Sequence, residues 1–190
     1  MSSELRTNTI VPASGTNLTL GASGDTIEFA SGTTVSGLSA GKVLQVVSSM
    51  FKGSASTSST ALVTTGLEGT ITPSATSSKI LISISFAMAA AGGDAAPWIQ
   101  LYKGSSVISG SLADVQGSRR QSSVGMAYNA SQSTAFNYLD SPSTTSATTY
   151  KLMYACLNGS QTLYMNLMST GDSTSYFTSP ATMILTEIAV

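Results

Sequence analysis

The residues of this 190-residue chain that could do acid–base chemistry are nine carboxylates, and no histidine accompanies them. Histidine is the commonest general base and metal ligand, so its absence excludes Ser-His and Cys-His nucleophile pairs and the usual zinc sites. A glycosidase needs two carboxylates that flank one bond. Here the acids lie singly along the chain: Glu4, Asp25, Glu28, Glu68, Asp94, Asp114, Asp140, Asp172 and Glu187. The sequence therefore predicts a protein that is not an enzyme and that holds neither cofactor nor metal.

Three of these acids lie in segments rich in Gly, Ser and Pro. Asp94, Asp140 and Asp172 are predicted to occupy turns, where an Asp side chain accepts hydrogen bonds from nearby backbone. No cluster of alternating Asp residues indicates a calcium loop.

Two pairs of side chains are candidates for surface recognition. Arg119 and Arg120 form a basic pair in a polar segment that is predicted to be a long loop. They could bind an acidic sugar or a neighbouring subunit, and a solvated loop is the alternative. Tyr176 and Phe177 lie in a Ser/Thr-rich turn and are the aromatic pair expected to face solvent. Such side chains would suit a host surface glycan.

Charge is sparse for a chain of this hydropathy. Charged residues make up 9%, against about 25% in typical soluble domains, and the mean hydropathy is +0.21. The net charge of -1 does not favour nucleic acid as a partner. The longest apolar run, residues 80–91, is shorter than the ~20 residues that span a bilayer. We therefore expect an oligomer that buries apolar surface between its copies, with no membrane insertion.

From residue 42 onward the chain reads as short strands separated by Ser/Thr/Gly turns. Ile80, Ile82, Ile84 and Phe86 alternate with polar or smaller residues and are predicted to share one face of a strand. The predicted strands are Val43–Met50, Ala61–Thr65, Gly69–Thr72, Ile80–Met88, Trp98–Lys103, Val107–Ser109, Val124–Tyr128, Ala135–Leu139, Thr149–Leu157, Thr162–Met168 and Met183–Val190. This spacing predicts an all-β protein whose residues 42–190 form an antiparallel β-sandwich head, jelly-roll-like in character.

Two local expectations accompany this assignment. The last strand, Met183–Val190, is predicted to be central in its sheet or buried at an interface. Cys156 lies in an apolar strand and is predicted to be a buried, inert thiol. A single cysteine allows no disulfide within the chain, which fits synthesis in a reducing cytoplasm.

Residues 1–41 differ from the rest. The triplet Ala-Ser-Gly begins at residues 13, 22 and 30, and apolar residues at period two follow each copy. Short strands of this kind bury their side chains only when they stack on neighbours. The segment is therefore predicted to be an anchor or stem that packs, partly between chains, through Leu18, Leu20, Ile27, Phe29 and Val35. The alternative is a flexible Ser/Gly linker.

These motifs also carry a family likeness. Residues 5–35, which include GASGDTI at 21–27 and SGTTV at 31–35, resemble the N-terminal segment of tail-fibre-like and decoration virion structural proteins of marine and cyanobacterial tailed bacteriophages. Residues 41–47, 71–80 and 183–188 resemble the body domain of those proteins.

The resemblance implies a homotrimeric fibre on the virion surface, made in the host cytoplasm. Its head would be a jelly roll like those of tumour necrosis factor and complement C1q. Residues 1–41 would attach it to another virion protein of the capsid, portal or tail. The chain is shorter than a typical fibre and has no long shaft, so a capsid decoration or cement protein is an alternative. A monomeric carbohydrate-binding module is another, and an enzyme with paired carboxylates is the least favoured.

Overall fold

The structure is a computed structural model that describes residues 10, 26, 41–91, 95–126, 131–167 and 178–190. Alternation of apolar with polar or small residues produces strands throughout these ranges, and they contain no α-helix. One 3-10 turn covers Ser109–Ser111. The strands are β1 (Val43–Phe51), β2 (Ala55–Thr57), β3 (Val63–Ile71), β4 (Lys79–Ala91), β5 (Pro97–Lys103), β6 (Ser106–Val107), β7 (Gln132–Asp140), β8 (Thr148–Cys156), β9 (Thr162–Met165) and β10 (Ala181–Ile188).

The strands form two antiparallel sheets that pack face to face, as the sequence predicts. Sheet A has the order β1-β10-β4-β9-β2, and β7 pairs with β4 on the other edge of that strand. Sheet B has the order β3-β8-β5-β6. The last strand, β10, lies between β1 and β4, so the prediction that it is central is confirmed.

The chain passes repeatedly from one sheet to the other. The long strands β1, β4, β7 and β10 belong to sheet A, whereas β3, β5 and β8 belong to sheet B. Strands that are neighbours within a sheet are therefore mostly distant in sequence. The fold therefore depends on pairings between distant segments. The pairing of Val43 with Ile188, for example, joins the two ends of the head.

The core lies between the sheets and follows the period of two. Ile80, Ile82, Ile84 and Phe86 are all buried, which confirms their predicted shared face. Sheet B contributes the opposite half of the core, namely Leu67, Ile71, Ile99, Leu101, Tyr150, Leu152 and Tyr154. Cys156 is also fully buried, and its thiol donates to the carbonyl oxygen of Asn158.

Several predicted strand boundaries are wrong. Ala61–Thr65 and Gly69–Thr72 are parts of one strand, β3, which continues through a register shift between Thr64 and Glu68. Gly66 lies there with a φ of 86°, a conformation that glycine adopts without steric cost. The three-residue strand β2 was not predicted.

The predicted strand Val124–Tyr128 is also wrong for residues 124–126, the part that the structure describes. Ser122 and Ser123 instead reach the edge of β5 through their side-chain hydroxyls as well as the backbone. Asp140, predicted to lie in a turn, is the last residue of β7 and is buried.

A buried polar group links the two sheets at one end. The Asp140 carboxylate on sheet A accepts hydrogen bonds from the Lys103 ammonium at 2.9 Å and from the Tyr150 hydroxyl at 2.7 Å, both on sheet B. Burial, together with the hydrogen bond to Asp140, raises the pKa of Tyr150 far above its usual value. Asp140 therefore forms a structural ion pair with Lys103, and the prediction that it accepts hydrogen bonds within a turn is wrong.

A second buried acid fixes a loop to the inner side of sheet A. The Glu187 carboxylate accepts hydrogen bonds from Gln45 Nε2 at 2.6 Å and from both the backbone N–H and the hydroxyl of Ser74 at 2.7 Å. Burial alone would raise the pKa of this carboxyl, but hydrogen bonds to the ionised form outweigh it and lower the pKa to about 2.

The chain divides into two units, Met1–Ser36 and Gly37–Val190, and the fold above is that of the second. The predicted stem residues lie outside the described residues: Leu18, Leu20, Ile27, Phe29 and Val35. The aromatic pair Tyr176 and Phe177 lies outside them too.

Candidate functional site: an uncharged sheet face

The outward side of sheet A is a regular array of side chains set by strand register. Three rows of directly opposed residues cross β1, β10, β4 and β7 in that order. The rows are Val46, Thr186, Leu81 and Leu139; Ser48, Ile184, Ser83 and Asn137; and Met50, Thr182, Ser85 and Ala135. We call these twelve residues the uncharged face, since none of them carries a charge.

The uncharged face collects the exposed apolar residues of the sandwich. Val46 is 59% exposed, Met50 50%, Leu139 46% and Ile184 40%. Two further exposed apolar residues, Val43 and Leu44, lie beside them at the start of β1. Every exposed large apolar side chain in a described strand therefore belongs to sheet A, and the strands of sheet B carry none.

The remaining positions of the uncharged face are mostly short and hydroxyl-bearing. Ser85 and Thr182 hydrogen-bond to each other through their hydroxyls at 2.7 Å. A shallow, open depression lies over the middle of the array and is lined by Ser83, Ile84, Ser85, Ala135, Asn137, Thr182 and Ile184. Short side chains leave hollows beside the longer side chains of Val46, Met50 and Leu139. Side chains of a partner could pack into these hollows.

The uncharged face mixes apolar and polar surface. Strand spacing of about 4.8 Å and a rise of about 3.4 Å per residue give its twelve residues a footprint of roughly 400 Å². Six of the twelve residues are apolar, so the apolar part of this footprint is smaller than the apolar patches of about 300–600 Å² that are the largest on typical monomers. The nearest charge in register is that of Lys79, opposite Ile188 at the rim.

The outward side of sheet B differs from the uncharged face because it carries charged residues and because a loop packs on it. Glu68 of β3 lies opposite Lys151 of β8, which lies opposite Tyr102 of β5. Trp98 and Gln100 of β5 each donate a hydrogen bond to the carbonyl oxygen of Gln121, which brings a loop onto this sheet. Sheet B is therefore partly covered by its own chain, whereas no segment among the described residues is hydrogen-bonded across the uncharged face.

The predicted basic pair lies in that loop, as expected from the sequence. Arg119 and Arg120 are both exposed. The Arg120 guanidinium lies 4.6 Å from the centre of the Trp98 ring, a distance typical of cation–π contacts. The structure thus brings Arg120 and Trp98 together, a contact that sequence spacing could not reveal because 22 residues separate them.

The described residues hold no group of three or more Cys, Asp or Glu side chains placed to bind a metal ion. Asp140 and Glu187 are engaged in the structural contacts given above, and Asp114 is exposed in the Arg119–Arg120 loop. Within the described part of the chain, no helix has the length and apolar character needed to cross a membrane.

Comparison with known proteins gives no name to this arrangement. No protein-family model matches the chain, and no curated protein matches it either. The case for a function rests on the two sheet faces and on the sequence motifs.

Proposed function

We propose that the chain is a non-enzymatic structural protein of a bacteriophage virion. It forms a homotrimeric, surface-projecting fibre, and its copies meet through the uncharged face. Residues 1–41 attach the fibre to another virion protein of the capsid, portal or tail. The single observation that carries the assembly claim is the concentration of exposed apolar side chains on one sheet face that has no charge.

The energetics favour burial of this face. Removing apolar surface from water stabilises an assembly by about 25 cal/mol per Å² before the entropy of association is subtracted. A face without charges loses no ionic hydration when it is buried, and its hydroxyls can pair across the contact. The low overall charge of the chain, 9%, gives a separate monomer little protection from association.

Strand order supports a jelly-roll head. With the short strands β2 and β9 of sheet A left out, the other eight strands have the order first, eighth, third, sixth in sheet A and second, seventh, fourth, fifth in sheet B. This is the order produced by two interlocked Greek keys, which is the jelly-roll arrangement. The phage-protein resemblance of residues 5–35 and 183–188 implies the same fold as a homotrimer, so three is the proposed copy number.

A carbohydrate-binding module is less well supported. Such a module needs aromatic side chains that offer a ring face to solvent. Every aromatic side chain in the described ranges is buried or partly buried, and Arg120 lies over the ring of Trp98. The predicted solvent-facing pair, Tyr176 and Phe177, lies outside those ranges.

A capsid decoration or cement protein is the second candidate. The observation that favours it is the exposure of the uncharged face of sheet A, which could lie on a capsid surface as well as on another copy. The two functions differ in what remains when the protein is pure. A fibre is a trimer by itself, whereas a cement protein that uses this face only on the capsid is a monomer in solution.

Light scattering on the purified protein tests the proposal. The full chain should have about three times the monomer mass of 19.3 kDa. The chain starting at Lys42 should also be trimeric if the uncharged face alone drives assembly. A trimer only for the full chain would assign assembly to residues 1–41, and monomers in both cases would overturn the fibre proposal.

A further inference from the structure

Residues 113–122 form a closed loop that the assembly proposal does not use. The backbone N–H of Ala113 donates to the carbonyl oxygen of Ser122 at 3.2 Å, and Gln121 Nε2 donates to the carbonyl oxygen of Ala113 at 2.8 Å. Within the loop, the N–H of Arg119 donates to the carbonyl oxygen of Gln116 at 3.2 Å. These bonds join the two ends of the loop and define its tip as residues 114–120. We call residues 113–122 the arginine loop.

The arginine loop is fixed to a core strand at its base. The carbonyl oxygen of Gln121 accepts hydrogen bonds from Trp98 Nε1 at 2.7 Å and from Gln100 Nε2 at 2.9 Å. Gln100 is only 7% exposed, so this anchor is largely shielded from water. Water competes poorly for the partners of a hydrogen bond in such surroundings, so the base of the loop is held in place.

A second set of bonds fixes the base to the edge of β5. The N–H of Ile99 donates to the Ser122 hydroxyl at 3.2 Å, and that hydroxyl donates in turn to the carbonyl oxygen of Ile99 at 2.6 Å. The N–H of Leu101 donates to the Ser123 hydroxyl at 3.0 Å. The two serine hydroxyls thus take the place of a neighbouring strand. They form hydrogen bonds with backbone N–H and carbonyl groups on the edge of β5.

The tip presents both arginines to solvent. Every residue from 114 to 120 is exposed. The Trp98 ring supports the Arg120 guanidinium from one side at 4.6 Å and leaves the N–H donors at its edge able to bind a ligand. No other two cations are adjacent in the sequence; Arg6, Lys42, Lys52, Lys79, Lys103 and Lys151 are single. The arginine loop thus presents two adjacent guanidinium groups, one of them held against the Trp98 ring, and it carries a single carboxylate, that of Asp114.

We propose that the arginine loop binds an anionic polysaccharide through its carboxylate or sulfate groups. Guanidinium groups match these planar or tetrahedral oxyanions with paired N–H donors. Gln116 and Ser118, beside the arginines, supply amide and hydroxyl groups for sugar hydroxyls. Nucleic acid is disfavoured because it requires an extended basic surface, and the net charge here is -1.

Polysaccharide binding would extend the proposed function, and its strength rests on the proposed trimer. Two arginines give weak binding, but three loops on one trimer would bind a polymer together and raise the apparent affinity by about 10²–10⁴-fold. The loop is mounted on sheet B, and the uncharged face belongs to sheet A. Assembly and polymer binding can therefore be removed separately.

Surface plasmon resonance on the full-length protein tests this inference. The immobilised probes are polygalacturonate, which carries carboxylates, dextran sulfate, uncharged dextran and a DNA duplex. We expect binding to at least one charged polysaccharide and none to dextran, and we expect Arg119→Gln/Arg120→Gln to lower the affinity by at least about tenfold. The two charged polysaccharides distinguish carboxylate from sulfate recognition.

The matched control is Lys42→Gln/Lys52→Gln, which removes the same charge from two other exposed positions. It should bind within about twofold of the unaltered protein if the loop, rather than net charge, is responsible. Equal losses in the two double variants, equal binding to dextran, or no binding to either charged polysaccharide would overturn the inference. Stronger binding of the loop to duplex DNA than to both polysaccharides would also overturn it.

Light scattering on the same samples separates this test from that of the proposed function. A trimer that fails to bind overturns only the polysaccharide inference. A monomer overturns the trimeric fibre, and the difference between the arginine and lysine variants still decides whether the loop binds oxyanions, because that comparison does not depend on copy number.

Discussion

The two outward sheet faces of this sandwich have opposite characters. Sheet A presents twelve uncharged residues, with Val46, Met50, Leu139 and Ile184 at least 40% exposed, and no described segment is bonded across them. Sheet B carries Glu68 and Lys151 and is partly covered by the arginine loop. Strand pairing and period are alike in the two sheets, so the two faces differ in charge and in cover. Sheet B is partly covered by its own chain, and the proposed assembly would cover the uncharged face of sheet A with another copy.

The largest expected effect comes from placing a charge on the uncharged face. Ile184→Glu puts a carboxylate at the centre of the proposed contact, where burial without a partner costs several kcal/mol. We expect dissociation of the trimer into folded monomers, measured as a threefold fall in mass by light scattering with an unchanged β-type circular dichroism spectrum.

The matched variant for sheet B is Thr70→Glu, at an exposed position on β3. It should remain trimeric and lose only the hydroxyl contact of Thr70 with Thr149. If both variants dissociated, or neither did, the two faces would not differ in the proposed way.

The next largest effect separates folding from assembly. Asp140→Ala leaves the buried Tyr150 hydroxyl without its acceptor and the partly exposed Lys103 ammonium without its ion pair, and it should destabilise the head by about 1–3 kcal/mol. Chemical denaturation of the chain starting at Lys42 measures this change. Asp114→Ala removes an exposed carboxylate instead and should change the unfolding free energy by less than about 0.5 kcal/mol. Equal effects of the two substitutions would contradict the structural role of Asp140.

Acid should weaken the inner side of sheet A through Glu187. Its pKa in the folded protein, about 2, is below the usual glutamate value of about 4.3. The stabilisation it provides is therefore complete above that usual value and is lost as the pH falls from there towards 2. The urea midpoint should drop across this window, and the drop should be smaller in Glu187→Gln. An equal drop in both proteins would show that other groups carry the acid sensitivity.

The smallest expected effect compares two exposed valines. Val46, on the uncharged face, is 59% exposed, and Val115, in the arginine loop, is 69% exposed. Val46→Ser should weaken the assembly by roughly fivefold per subunit, since full burial of one valine contributes about 1.5 kcal/mol or more and Val46 is already partly buried in the single copy. Val115→Ser should leave the strength of the assembly unchanged. Sedimentation at several concentrations measures both, and a larger effect from Val115 would locate the contact elsewhere.

Much of the architecture follows from the period of two. Alternation in residues 80–86 correctly predicted which side of β4 faces the core and that Ser83 and Ser85 lie on the other side. The prediction that the last strand is central in its sheet was also correct. Strand limits failed where local chemistry departs from alternation. Gly66 carries β3 through a register shift, and hydroxyls of Ser122 and Ser123 supply bonds to β5 that apolar spacing does not encode.

The uncharged face could not be predicted from the sequence because it depends on pairing between distant segments. Val46, Thr186, Leu81 and Leu139 form one row only through three separate registers. Each looks like an ordinary strand residue by itself. The contact of Arg120 with Trp98 depends likewise on how the loop folds back. Alternation fixes which side of a strand a residue takes, but strand order decides which residues share a surface.

Thiol reactivity tests the central claim most directly, because the native Cys156 is buried and provides a silent background. Asn137→Cys places a thiol on the uncharged face, and Thr70→Cys places one on the outward side of sheet B; both positions are exposed in a single copy. With a water-soluble thiol reagent, the assembled protein should react slowly at position 137 and rapidly at position 70, and adding Ile184→Glu should make position 137 react rapidly. Equal rapid reaction at both positions in the assembled protein would contradict burial of the uncharged face between copies.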